Sequence, residues 1–245
     1  MTFLILFLAS IWAGTQNALA GGGSFITLAA LMLTGMDARA ANITSTVALF
    51  PGQIATGWTG RNLISGGTGL SFRALTLISL LGGALGAVLL LNTPPSFFAK
   101  LVPWLVSFAT GVFAWGSFVP HGQEGSKLGR FGTAVGQFCI SLYGGYFGGG
   151  IGFLMLAALT AAGLAIRNAG ATKNVLAAVM NASAVAIFVF SPDIHWILAA
   201  ITAVGAIIGG ILGGLMLRKV NENALRLVVV AIGVALTVGL FIRAH

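Results

Sequence analysis

The residues able to do chemistry in this 245-residue chain are few, and they gather beside glycines. Gln16 and Asn17 precede Gly21, Gly22 and Gly23, and Tyr143 and Tyr146 precede Gly148, Gly149 and Gly150. Asn42, Thr44, Ser45 and Thr46 open one apolar run, while Thr172, Lys173 and Asn174 open another, each group following a basic residue, Arg39 or Arg167. Asn181 lies two turns further into the second of these runs. Gln53 sits similarly in the first, beside Pro51-Gly52, where a helix kinks readily. Amides, hydroxyls and an ammonium group next to interrupted helices suit the binding of an anion, because a helix N-terminus presents free N–H groups and the positive end of its dipole. Glycine at the interruption lets the backbone approach a solute closely.

Each of these residues also has a plainer use. Gln16 and Asn17 suit capping or interhelical hydrogen bonding as well as they suit a ligand. The two tyrosines suit aromatic packing better than ligand contact. Hydroxyls and amides at a helix start are often caps. Lys173 either snorkels to the surface or attracts an anion. Asn181 and Gln53 serve either as glue between helices or as site residues, since an unpaired amide in an apolar run is costly.

Composition says what must position them. Hydrophobic residues make up 58% of the chain and charged residues only 7%, against roughly 25% charged in an ordinary soluble domain. Lipid is therefore the expected solvent. All four acids, Asp37, Glu124, Asp193 and Glu222, fall between apolar runs, so the carboxylate relay of a typical proton or sodium pump is missing. The net charge of +8 reads as loop charge that orients the chain in a membrane, not as a nucleic-acid signal. Cys139 is alone, and His121, His195 and His245 are scattered, so neither a metal site nor a catalytic constellation is expected. There is no Walker-type loop for nucleotide hydrolysis. The expectation is a protein that is not an enzyme and carries no cofactor. Ala18-Leu19-Ala20 resembles a signal-peptidase site, but the basic segment of a signal peptide is missing and cleavage is not expected.

The hydrophobic runs are approximately 1–35, 38–59, 72–92, 97–120, 131–164, 170–191, 194–217 and 224–242. Most have the ~20-residue length of a membrane-spanning helix. The fifth run repeats the first: the glycine triplet recurs, Leu-Ala-Ala-Leu at 28–31 recurs at 156–159, Gly35 matches Gly163, and Ala41 matches Ala171. Gly82 and Gly86 likewise match Gly205 and Gly209, in the spacing that brings helices close, and Lys100-Leu101-Val102 matches Arg226-Leu227-Val228. These matches predict two repeats, 1–123 and 124–245. Runs one and five are too long for one straight span, at roughly 50 Å against a ~30 Å core, and too short for two. A break at the glycines, giving a hairpin of partial helices, resolves this.

Charge counting favours the same picture. If each long run crosses once, the two sides receive five and seven Lys/Arg. If each enters and leaves on one side, one face receives Arg61, Arg73, Lys127, Arg130, Arg167, Lys173, Arg218, Lys219 and Arg226, and the other only Arg39, Lys100 and Arg243. That is a clear positive-inside bias. The expected fold class is an all-α polytopic membrane protein of two inverted repeats, each a glycine-broken helical hairpin followed by three transmembrane helices. Both termini are expected outside the cytoplasm, with a midplane site between the repeats.

The stretch from the glycine triplet to Gly35, followed by Ala40-Ala41-Asn42-Ile43-Thr44-Ser45, resembles the TauE/SafE sulfite-exporter family. So does the second copy, from Gly148 through Gly163 to Ala169-Gly170-Ala171-Thr172-Lys173-Asn174 and Asn181. The resemblance covers essentially the whole chain. It implies a secondary transporter in the cell membrane for sulfite, a sulfonate or another small organosulfur or carboxylate anion. One departure bears on substrate choice: the first copy reads Asn42-Ile43-Thr44 where a glycine-threonine pair is common. The expected partners are the anion and the bilayer, and the expected site comprises Gln16, Asn17, both glycine triplets, Asn42, Thr44, Ser45, Thr172, Lys173, Asn174 and Asn181. A passive channel for a small solute and a membrane scaffold are the competing readings; the paired glycine breaks favour either transport reading over the scaffold.

The topology has a direct test. Single cysteines at positions 62 and 127 should both react with an impermeant thiol reagent from the cytoplasmic side only; reaction of either from outside overturns the inverted arrangement.

Overall fold

A computed structural model describes residues 2–19, 22–59, 61–66, 69–118, 129–216 and 222–244. Gly21, the basic loop residues Lys127, Arg218 and Lys219, and the expected boundary between 123 and 124 lie outside the described residues. The described residues form ten α-helices: α1 Thr2–Leu19, α2 Gly23–Leu33, α3 Ala38–Thr59, α4 Phe72–Asn92, α5 Pro95–Phe118, α6 Arg130–Tyr146, α7 Ile151–Ala161, α8 Ile166–Phe188, α9 Trp196–Met216 and α10 Glu222–Ala244. A 3-10 turn, Arg61–Leu63, follows α3. Four helices, α4, α5, α8 and α9, contain stretches long and apolar enough to cross a bilayer.

The short helices α2 and α7 begin and end on glycines that only a residue without Cβ adopts cheaply. Gly22 has φ 81° and Gly150 φ 74°, while Gly35 has φ 95° and Gly163 φ 88°. This geometry refines the register. Laying the glycine triplets end to end pairs Gly23 with Gly150. The left-handed backbone instead gives Gly22 the role of Gly150, and Ala41 then stands opposite Ala169 rather than Ala171.

Two pairs of helices pack through glycine. Helix α1 lies along α9: a methyl group on Gly205 would sit 2.7 Å from Ser10 Cβ, and one on Gly209 would strike Ile11 O and lie 2.8 Å from Thr15 N. Thr15 Oγ1 also donates to Gly209 O at 3.0 Å. Helix α6 lies along α4 in the same manner: a methyl on Gly82 would sit 2.6 Å from Ser141 Cβ, and one on Gly86 would strike Leu142 O and lie 2.7 Å from Tyr146 N. In each pair the contacts advance together along both chains, so the two helices run in the same direction. Gln137 Nε2 donates to Ser79 Oγ at 2.8 Å across the second pair.

Helices α3 and α8 cross at the centre and define two ends of the bundle. At one end, Arg39 near the start of α3 reaches the last carbonyls of α4 and the connection before α9. At the other, the Arg61 end, the α8 side chains Asn168 and Thr172 hold the segment 63–65: Asn168 Nδ2 donates to Leu63 O at 3.0 Å, and Ser65 N donates to Thr172 Oγ1 at 3.1 Å. Apolar side chains fill both ends unequally. A large buried cluster that includes Phe25, Ile43, Leu90, Phe98 and Phe188 occupies the Arg39 end. A smaller one around Leu75, Met155, Leu176 and Met180 occupies the Arg61 end.

Gly86→Ala should therefore lower the stability of the detergent-solubilised protein by about 1–3 kcal/mol, since backbone atoms of α6 would have to move. Gly111→Ala, with nothing within 4 Å of the new methyl, should be neutral or slightly stabilising. Thermal melting of the two variants checks this, and equal melting would refute the close packing of α4 on α6.

Candidate functional site

The glycine breaks, together with α3, α8 and α9, enclose a cavity of about 150 Å³. Lys173 is the one ionisable side chain among its described lining residues. It projects from the second turn of α8, roughly 10 Å along from the helix start. Its Nζ lies over the first turn of α7, 3.6 Å from where a Cβ on Gly152 would be. A methyl group on Gly152 would only touch the ammonium group, whereas a larger side chain would enter the space it occupies. Helix α7 begins at Gly150 without a side-chain cap, and its first backbone bonds are Phe153 N to Gly150 O at 3.1 Å and Leu154 N to Gly150 O at 3.5 Å. The N–H groups of Ile151 and Gly152 thus have no acceptor within the helix. A cation and a helix N-terminus converge on the same space.

The matching end of α2 is built differently. Gly23 N donates to Asn17 Oδ1 at 2.8 Å, so a side chain from α1 closes that helix start. Asn17 and Gly22 line the same cavity as Lys173 and Asn174. Ser45 stands as far beyond Gly22 as Lys173 stands beyond Gly150, and it is buried, sharing a hydrogen bond of 2.6 Å with Thr27 Oγ1. The positive charge is therefore carried by one of the two corresponding positions.

Gln53, also in the lining, accepts from Asn181 Nδ2. These amides occupy corresponding positions too, equally far beyond Gly22 and Gly150. Asn181 itself is buried behind the cavity wall, with its Oδ1 unpartnered.

Of the residues expected to form the site, Asn17, Gly22, Gly148, Gly150, Lys173 and Asn174 meet at this cavity. The other described ones lie outside its lining. Asn42 Nδ2 donates to Tyr146 O at 3.2 Å, Thr44 Oγ1 accepts from His195 N at 3.3 Å, and Thr172 Oγ1 both accepts from Ser65 N and donates to Ser65 O at 3.2 Å. These side chains, with Ser45, tie helices together. Gly23 packs on Ala13 and Gly149 on the rings of Phe25 and Phe147. Gln16 is buried with both amide atoms unpartnered, away from the cavity lining. The tyrosines pack: Tyr143 against Phe108 and Phe147, Tyr146 against Phe98. The lining adds Gly14, Ser24, Leu49, Phe153, Ala206 and Gly210, among others, which carry no chemical signal of their own. Two of the additions were within reach of sequence reasoning. Ala177 lies one turn beyond Lys173, and Gly152 follows the second glycine triplet by two residues.

The arrangement resembles that expected of a carrier, and comparison with known proteins decides the family. Residues 6–240 match the family described as Sulfite exporter TauE/SafE. The chain belongs to this family. It is 29% identical over 242 residues to a probable membrane transporter protein of Haemophilus influenzae, covering 95% of this chain and 92% of the relative. It is 24% identical over 249 residues to the probable membrane transporter protein YfcA of Escherichia coli K12, covering 98% and 90%. A probable membrane transporter protein ORF9 of Sinorhizobium sp is 26% identical over 239 residues, covering 96% and 90%. This TauE/SafE chain is a multi-pass membrane transporter, in a family of membrane transporters.

A bulky residue at 152 probes the cavity without touching the fold, because only the flexible end of Lys173 lies within 4 Å of a Cβ there. Gly152→Leu should leave thermal stability within about 0.5 kcal/mol of the parent and abolish solute flux in reconstituted vesicles. Undiminished flux would mean that the solute passes elsewhere.

Proposed function

We propose that this transporter carries a small anion, sulfite or an organosulfonate, by alternating access around a midplane site between two inverted repeats. The observation that carries the reading is the position of Lys173 Nζ over the uncapped start of α7. An oxyanion placed there meets an ammonium group, two backbone N–H groups without a helical acceptor and the positive end of a helix dipole in a half-open cavity. Asn174 and Asn17 stand at the same cavity as further donors. The volume of about 150 Å³ is that of a cavity able to hold a benzene-sized molecule, which suits an oxyanion head with a short tail. The family description names sulfite export, and that supplies the sulfur chemistry. A small carboxylate offers the same head-group chemistry and is the competing cargo.

Several contacts support the inverted arrangement. Helix α1 runs with α9 and α6 runs with α4, so each hairpin starts alongside the second of the three helices that follow the hairpin in the other half. Helices α9 and α4 run from opposite ends of the bundle, which sends the two hairpins in from opposite faces. The pairing of Gln53 with Asn181, residues in corresponding positions, belongs at an axis relating the halves. In this reading the halves are 1–123 and 124–245, and both termini lie outside the cytoplasm. Lys173 leaves the loop-charge count once it is assigned to the cavity, but eight basic residues against three still orient the chain with Arg61 inside.

The test is thermal stability of the purified protein in detergent with sulfite, thiosulfate, sulfoacetate, taurine and acetate. An anion at 100 times its dissociation constant should add about 2.7 kcal/mol. Lys173→Met should remove that gain while leaving the ligand-free protein folded. A gain from acetate alone moves the cargo to carboxylates, and an undiminished gain in the Met variant returns Lys173 to a snorkelling role.

A further inference from the structure

The cavity and the ion pair of this protein lie at different depths, and their relation assigns a role to the pair. Along the long helices the cavity is lined by Leu49 to Gln53 of α3, Lys173 to Ala177 of α8 and Ala206 to Gly210 of α9. Helices α3 and α9 start at the Arg39 end and α8 starts at the Arg61 end, so these stretches occupy the middle of the bundle and its Arg61 half. Between the cavity and the Arg39 end stands the larger apolar cluster, whose Phe25, Phe98 and Phe188 are at most 1% exposed. The path towards that end is shut.

At the surface of that end one side chain joins three segments. Arg39 Nη2 lies 2.9 Å from Asp193 Oδ2, and the two side chains are 16% and 22% exposed. Arg39 Nη1 donates to Thr93 O at 2.8 Å and to Leu91 O at 3.3 Å, at the C-terminus of α4, where the helix dipole favours a cation. One guanidinium therefore ties α3 and α4 of the first half to the α8–α9 connection of the second. Two residues past Asp193, His195 N donates to Thr44 Oγ1 of α3, which fastens the same junction again. This is the one ion pair among the described residues. It is also incompletely satisfied, since Arg39 Nε is buried without a partner. A junction whose guanidinium forgoes one of its bonds costs less to part than a fully paired one.

We propose that Arg39 and Asp193 form the latch that closes the solute path at the Arg39 end, and that the pair separates when the cavity turns to that side. The proposal rests on the alternating-access reading given above. In the arrangement seen here the latch is closed and the cavity belongs to the Arg61 side. Solute recognition by Lys173 and closure by Arg39 are then separate tasks at separate depths.

The experiment needs no knowledge of the substrate. Ala177→Cys, placed in a Cys139→Ser background, reports on the cavity when the protein is reconstituted in one orientation and an impermeant methanethiosulfonate reagent is added at one face or the other. The parent should react from the Arg61 face. Asp193→Asn and Arg39→Gln should each raise the rate of reaction from the Arg39 face about tenfold, the population shift that follows loss of a partly buried ion pair. Arg39→Lys should stay near the parent. Asp193→Asn and Arg39→Gln should both still react from the Arg61 face and melt cooperatively, which a merely misfolded variant would not do. Parental sidedness in both Asp193→Asn and Arg39→Gln overturns the latch while leaving the anion site untouched. Equal reaction of the parent from both faces overturns alternating access, and the latch with it.

Discussion

A backbone that stops being helical in the middle of a membrane protein must still find partners for its N–H groups. Everything distinctive here follows from two places where that requirement is met in different ways. At Gly22 the chain turns through a left-handed residue, and Asn17 of α1 supplies the acceptor for Gly23 N. At Gly150 it turns the same way, yet the start of α7 is left to face Lys173. The first solution is closed and structural. The second leaves the first N–H groups of α7 and the Lys173 side chain beside one cavity.

Such a break is tolerable only if the surrounding helices bury it, and glycine is again the means. Without a hydrophobic drive between helices in lipid, close backbone contact takes over. Gly205 and Gly209 admit α1 to the face of α9, and Gly82 and Gly86 admit α6 to the face of α4. Side chains that look like site residues in the sequence are spent on the same task. Asn42, Thr44, Ser45 and Thr172 hold the ends of α3 and α8 against neighbouring segments, where an unpaired hydroxyl or amide would be costly. Helices α3 and α8 differ in charge through one pair of residues: a serine bonded to Thr27 in α3, a lysine over α7 in α8.

Much of this was legible in the residues. A 58% hydrophobic chain with 7% charge reads as a membrane protein, and its apolar runs of ~20 residues suit helices rather than the shorter strands of a barrel. The glycine triplets and the length of runs one and five marked the breaks, since no single span of that length fits the hydrocarbon core. The family resemblance, read from the two copies of one motif, is met by the match over residues 6–240. Lys173, which lines the cavity, was singled out because a lysine inside an apolar run is expensive and needs a reason.

Tertiary structure alone decided which polar groups face a shared space. Thr44 and Lys173 have the same status in the sequence, each a polar residue opening an apolar run. One is consumed by His195 N, far along the chain, and the other is left over a helix start that Gly152 keeps open. Leu49, Ala206 and Gly210 joined the cavity wall without any chemical mark, because a wall is defined by what packs around it. The residues by themselves determined the solvent, the secondary structure and the positions of the breaks, all of which depend on local composition and spacing. The partner of each donor depends on which helices cross, and that is a property of the packed bundle.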